Sequence, residues 1–180
     1  APELIFGLVA PIGVDLDLVA DVLSQSLKEM DYQTHQFRVT RLMREISTGL
    51  TVADSPYIQS FKDRIAYANE VRRLLGDDAL AALAISAIRS FLAEERERRA
   101  VADPVQSPSA EERTEEVPLS NHSYIIRQFK RPEEIALFRN VYGRQFVLVS
   151  AYTSQQARAK RIEENERQSQ GGLISDTEAS

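Results

Sequence analysis

The stretch GLVAPIGVDLD, Gly7 to Asp17, follows an apolar run and leads into an amphipathic one. A phosphate loop occupies that place between a strand and a helix. Its working pattern is G-x-x-x-x-G-K-[ST], whose lysine and hydroxyl hold the β- and γ-phosphates and Mg²⁺. Here Leu16 stands where the lysine belongs and Asp17 where the hydroxyl belongs. Backbone N–H groups at a helix N-terminus can hold a phosphate without particular side chains, and Pro11, Gly13 and a following helix can supply the turn. The side chains oppose it. A carboxylate about 5 Å from a phosphate, at an effective dielectric of roughly 20, costs about 3 kcal/mol per charge pair. Asp15 and Asp17 supply two such carboxylates. Either the loop cradles a nucleotide through the backbone of Ala10, Pro11, Ile12, Gly13, Val14 and Asp15, or the aspartates cap a helix and bind nothing.

Other candidates are scattered. Asn69 and Arg72 lie three apart, hence on one helix face, where they read a base or phosphate together or face solvent. Lys130 and Arg131 follow the apolar run SYIIRQF, at the carboxyl end of a parallel strand, where ligands of α/β sheets collect. Arg131 either clamps a phosphate or pairs with Glu134. Arg158 and Arg161 sit on a polar helix and are read as solvent-facing. No general base with a partner emerges, and phosphoryl transfer depends on positioned cations, so kinase activity is not expected. His35 and His122 lack ligand spacing and are read as ordinary surface or packing residues, with no metal between them. The absence of cysteine excludes disulfides and thiolate zinc sites.

The elements that must position these residues are read from periodicity. ELIFGLVA is a short strand buried on both faces, and Leu16, Val19, Ala20, Leu23 and Leu27 mark a helix capped by Asp15 or Asp17. Thr34–Leu42 alternates as a second strand, and RLMREISTGLTVAD is a short helix plus loop. Ser55-Pro56 starts a helix whose buried stripe is Ile58, Phe61, Ile65, Ala68, Val71 and Leu75. Asp77 or Asp78 caps a second, mostly apolar helix over 79–92, running out into the solvated EERERR. Residues 100–121, rich in proline, serine and acid, are read as a flexible surface insertion. Ser123–Phe129 is a third strand, Arg131–Gly143 a helix, Gln145–Tyr152 a fourth strand, Thr153–Arg167 a polar helix and 168–180 a tail. The order β-loop-α-β-αα-β-α-β-α predicts an α/β sandwich of three layers around a mainly parallel sheet.

At 180 residues, 43% apolar and 27% charged, the chain is expected to form one core. Its net charge of −5 argues against duplex nucleic acid as a partner, while a local basic pocket for nucleotides stays open. The longest apolar stretch, Leu80–Leu92, is too short and too polar to span a bilayer, and a soluble, cytoplasmic protein is expected. The chain opens at Ala1 without Met and closes on GGLISDTEAS, so it is read as part of something longer.

Three stretches carry a family resemblance. ELIFGLVAPIGVDLDLVADVLSQSL resembles the first strand, degenerate phosphate loop and first helix of the P-loop kinase-like domain in anti-phage deoxycytidylate (dCTP/dCMP) deaminases. DRIAYANEVRRLLGDDALAALAI is similar to the substrate-side helices of that domain and, more distantly, of deoxynucleoside monophosphate kinases. SYIIRQFKRPEEIALFRNVYGRQFVLVSAY, with QQARAKRIEE after it, resembles their strand–(K/R)xPEE–helix–strand unit, and the resemblance puts Arg158 and Arg161 where nucleotide kinases carry lid arginines. The resemblance implies a P-loop NTPase or nucleotide-kinase-like fold over 1–168, with 169–180 as connector to a C-terminal deaminase domain outside this chain. It implies zinc in that absent domain, whose H-x-E and P-C-x-x-C signature is not in this sequence, and leaves Mg²⁺ open. The implied function is nucleotide sensing beside a deaminase that depletes dCTP and dCMP, in a homo-oligomer. A deoxynucleotide kinase, or an oligomerisation scaffold that binds no nucleotide, stands as the alternative.

Overall fold

A computed structural model describes residues 1–102 and 119–178. Four strands, β1 (Leu4–Val9), β2 (Gln33–Arg38), β3 (His122–Arg127) and β4 (Phe146–Ser150), form one sheet in the order β2-β3-β1-β4. Every pairing is parallel, with Ile5 opposite both Tyr124 and Phe146, and Phe37 opposite Ile126. Among the described residues six α-helices accompany them: α1 (Leu16–Glu29), α2 (Val39–Leu42), α3 (Tyr57–Leu75), α4 (Ala79–Ala102), α5 (Pro132–Tyr142) and α6 (Gln155–Glu178). The expected α/β class with a parallel sheet is what the chain forms.

Alternation along the strands divides the interior in two. Ile5, Tyr124, Ile126 and Phe146 face a core built with α3, α4 and α5, whereas Phe6, Leu8 and Ile125 face Leu16, Ala20 and Leu27 of α1. Helices therefore pack on both faces. All six residues of β3 are buried, which is why its run shows no alternation of polarity. Gly7 lies inside β1 rather than in the loop after it. A Cβ there would come within 2.6 Å of the Phe129 ring and 2.8 Å of Phe146, so the aromatic layer over β1 requires glycine.

Several sequence expectations are corrected. β2 ends at Arg38 instead of running to Leu42, because Val39 and Met43, four residues apart, both enter the core in helical geometry. The expected stripe of α3 holds only in part. Val71 is in the core and Ala68 packs against it, but Tyr67 and Arg72 are buried as well, while Ile58, Ile65 and Leu75 are exposed. α3 begins at Tyr57, with Pro56 in the cap position and no cap from its own neighbourhood. α6 continues as helix to Glu178, past Arg167, where the polar pattern was read to stop. Of the expected flexible insertion, α4 occupies the first residues and Leu119–Asn121 are tied to β2 and Ala1. The stretch between, 103–118, lies outside the described residues.

No helix among the described residues is long and apolar enough to cross a membrane.

Candidate functional site

Neighbouring strands β1 and β3 send their chains to opposite faces, β1 into α1 and β3 into α5. Beyond their carboxyl ends a crevice must open, the place where open α/β sheets bind ligands. A cleft of about 870 Å³ lies there, roofed by α3 and α6. Among the described residues its walls carry seven cationic side chains, Arg38, Arg64, Arg72, Arg127, Lys130, Arg131 and Arg161, against two carboxylates, Asp15 and Asp17. In a chain of net charge −5, that concentration of positive charge is local to the cleft.

The loop at its floor has the expected turn but a shifted register. Gly13 adopts φ +87°, and a Cβ there would lie 2.7 Å from the Arg158 carbonyl, so conformation and space both demand glycine. The two residues after this turn glycine are Val14 and Asp15. Leu16, assigned above to the lysine position, is instead the first residue of α1 and packs in the core under Leu8. Asp15 is the N-cap, accepting from the Leu18 N–H at 3.0 Å, so the cap falls to Asp15 and not Asp17.

The aspartates hold arginines. Asp17 accepts from Arg127 of β3 at 2.5 Å and from Arg38 of β2 at 2.7 Å, and Asp15 pairs with Arg161 of α6 at 2.6 Å. Burial works to raise the Asp17 pKa. The Arg127 hydrogen bond and the charges of Arg127, Arg38 and Arg161 outweigh it and hold the carboxyl below its ordinary range. Cations thus crowd the helix N-terminus where a free carboxylate would repel a phosphate.

Of the sequence candidates, Val14, Asp15, Asn69, Arg72, Lys130 and Arg131 line the cleft. Ala10, Pro11, Ile12 and Gly13 form the loop behind it: the Ala10 carbonyl accepts from Lys130 Nζ at 2.8 Å and that of Ile12 from Arg158 at 3.3 Å. Arg72 is 8% exposed and committed, donating to Glu134 through Nε (3.0 Å) and Nη2 (2.6 Å), and to Asn69 through Nη1 at 3.4 Å. Asn69 and Arg72 meet as expected, with Arg72 as a structural strut. Glu134 therefore pairs with Arg72 rather than with the side chain of Arg131. Its second oxygen accepts the backbone N–H groups of Lys130 and Arg131, closing a capping box at the start of α5. The Arg131 side chain reaches Asp77 at 3.9 Å.

Sequence reasoning missed two walls. On α3 the supposed core stripe Phe61, Ile65 and Ala68 faces the cleft, with Tyr57 stacked on Phe61 at 6.5 Å and Arg64 over the Phe61 ring at 5.9 Å. On α6, Arg161, Asn165, Gln168 and Ser169 line the cleft. The signal was present as spacing. Arg158, Arg161, Asn165 and Gln168 recur at steps of three and four, a polar stripe that marks a face turned to something other than bulk water. α6 is seated at both ends of this stripe: Arg158 on the loop, and Glu166 and Ser169 on the first N–H groups of α3, accepting from Ile58 at 2.7 Å and Tyr57 at 2.9 Å.

No protein-family model matches the chain, and no curated protein matches it.

Proposed function

We propose that this cleft is a nucleotide-binding site on a P-loop kinase-like scaffold that has lost phosphoryl-transfer chemistry. The observation that carries the reading is the cleft's charge: seven cations line it among the described residues, four of them (Arg38, Arg127, Lys130 and Arg161) held at the start of α1 and the loop before it, beside an aromatic wall. Phosphates meet the arginines and the loop, and a base lies against Tyr57 and Phe61, with Asn69, Asn165 and Gln168 offering amides to its edge. The volume suits a nucleotide. Against catalysis stand Val14 and Asp15 directly after Gly13, where a working loop has lysine and a hydroxyl, and the commitment of both aspartates to arginines. With the resemblance noted above, the reading extends to a regulatory domain of a deoxycytidine nucleotide deaminase acting against phage, whose zinc chemistry lies outside this chain.

Calorimetry with dCTP, dTTP, ATP and GTP, with and without Mg²⁺, is the test. Binding by at least one nucleotide is expected. Silence from all of them removes the reading in favour of the scaffold, and ADP release with a deoxynucleoside monophosphate acceptor overturns the loss of kinase chemistry.

A further inference from the structure

Most of the cleft's cations already have carboxylate partners: Arg38 and Arg127 share Asp17, Arg161 has Asp15, Arg72 has Glu134, and Arg131 reaches Asp77. Arg64 and Lys130 differ: among the described residues neither has a carboxylate within ion-pair distance. Arg64 lies over the Phe61 ring of the aromatic wall, whereas the Lys130 ammonium sits at the loop with one partner there, the Ala10 carbonyl at 2.8 Å. A lysine ammonium has three N–H donors, so two have no partner among the described residues. They sit at the crevice between β1 and β3, against the backbone of the loop that ends in the Gly13 turn. The residue is exposed as a whole, yet the ammonium is part-buried in its bond to Ala10, and burial lowers its pKa while the nearby Glu134 charge offsets this in part. The position is also held from behind. Glu134 fixes the Lys130 backbone N–H at 2.8 Å, and Arg72 fixes Glu134.

We propose that Lys130, delivered from the end of β3, is the cation that grips the ligand's phosphate at this loop, taking over from outside the loop the task a loop lysine performs. In this structure its charge rests on the Ala10 carbonyl. A phosphate seated at the Gly13 turn draws the ammonium onto itself, and the flexible stem allows the short move. The arginines held by Asp15 and Asp17 then serve as a cationic wall, while the uncompensated charge supplies the pull. This inference rests on the nucleotide-site reading above.

The experiment measures binding of inorganic pyrophosphate and dCTP by calorimetry to the full chain, as wild type, Lys130→Gln, Lys130→Arg and, outside the cleft, Lys160→Gln, with melting temperatures alongside. Lys130→Gln should weaken both ligands about tenfold or more, the loss of a charge-assisted contact, whereas Lys130→Arg and Lys160→Gln should stay within about threefold. Wild-type affinity should also decline as pH rises, starting below the range of an ordinary lysine, and the decline should vanish in Lys130→Arg, whose guanidinium does not titrate. If Lys130→Gln melts lower yet binds as wild type does, Lys130 is a loop staple and the inference falls while the site stands. If wild type binds neither ligand, the site reading fails and takes this inference with it.

Discussion

Arg72 carries a full charge at a position 8% exposed, opposite a glutamate 1% exposed, and the pair links α3 to α5 beneath the cleft. Breaking such a pair on one side strands the other charge, so Arg72→Met should cost about 3–5 kcal/mol in chemical denaturation. A loss under about 1 kcal/mol would mean that water reaches Glu134. At the far end of the sheet, His122 is 1% exposed and touches His35 Nε2 through Nδ1 at 3.1 Å and Arg99 through Nε2 at 2.8 Å. The arginine can only donate, so His122 accepts at Nε2 and donates from Nδ1, which requires both rings neutral. Burial first, then the charge of His122 on His35 and of Arg99 on His122, lowers both pKa values, with Glu95 opposing. The unfolded chain therefore takes up these protons first as pH falls. Stability should be full above about pH 6.5 and decline below it. His35→Gln should flatten that decline in melting curves between pH 7.5 and 5, and an unchanged slope would sink the assignment. Asp17 belongs to a separate window. Its lowered pKa keeps its contribution intact above the ordinary carboxylate range and loses it only in stronger acid.

Among the elements, α6 decides whether there is a cleft at all. Its contacts with α3 and with the loop close a site that β1, α1 and β3 leave open on one side. The N-terminus of α3, whose own Pro56 offers no cap, borrows acceptors from Glu166 and Ser169 more than a hundred residues away. Such caps contribute about 1 kcal/mol each. In the Glu166→Gln, Ser169→Ala double variant, amide exchange at Tyr57 and Ile58 should accelerate roughly tenfold or more while β1 and β3 stay protected. Uniform acceleration across the sheet would instead mean that the whole domain unfolds together. This coupling also explains what the sequence concealed. The strands, α1, α5 and the Gly13 turn follow local rules of burial, caps and proline placement, and are legible in the chain. The cap of α3 and the partner of Arg72 are long-range choices that no local pattern encodes. The stripe Phe61–Ile65–Ala68 misleads for a related reason, since a helix lining an apolar cleft wall carries the same periodicity as one facing a core.

At the scale of the whole molecule, an acidic chain concentrates cations in one cleft, and the consequence is linkage between ligand and stability. Asp15 and Asp17 answer only part of the positive charge there, and the arginines they hold come from β2, β3 and α6. A phosphate-bearing ligand that completes the neutralisation therefore ties together elements otherwise joined by carboxylate bridges. A ligand at about a hundred times its Kd stabilises the folded form by about 2.7 kcal/mol. For a domain of this size that corresponds to a rise in melting temperature of roughly 5–10 °C. Where attraction between ligand and cleft carries the effect, raising salt from 0.05 to 0.5 M should shrink the rise by half or more, because the screening length then falls to a few ångströms, roughly 4 Å. The corresponding nucleoside without phosphate should give less than a third of the rise at equal concentration, and its small shift should be indifferent to salt. A nucleoside that matches its nucleotide would place the binding on Tyr57 and Phe61 alone and leave the cationic wall to hold α6 in position.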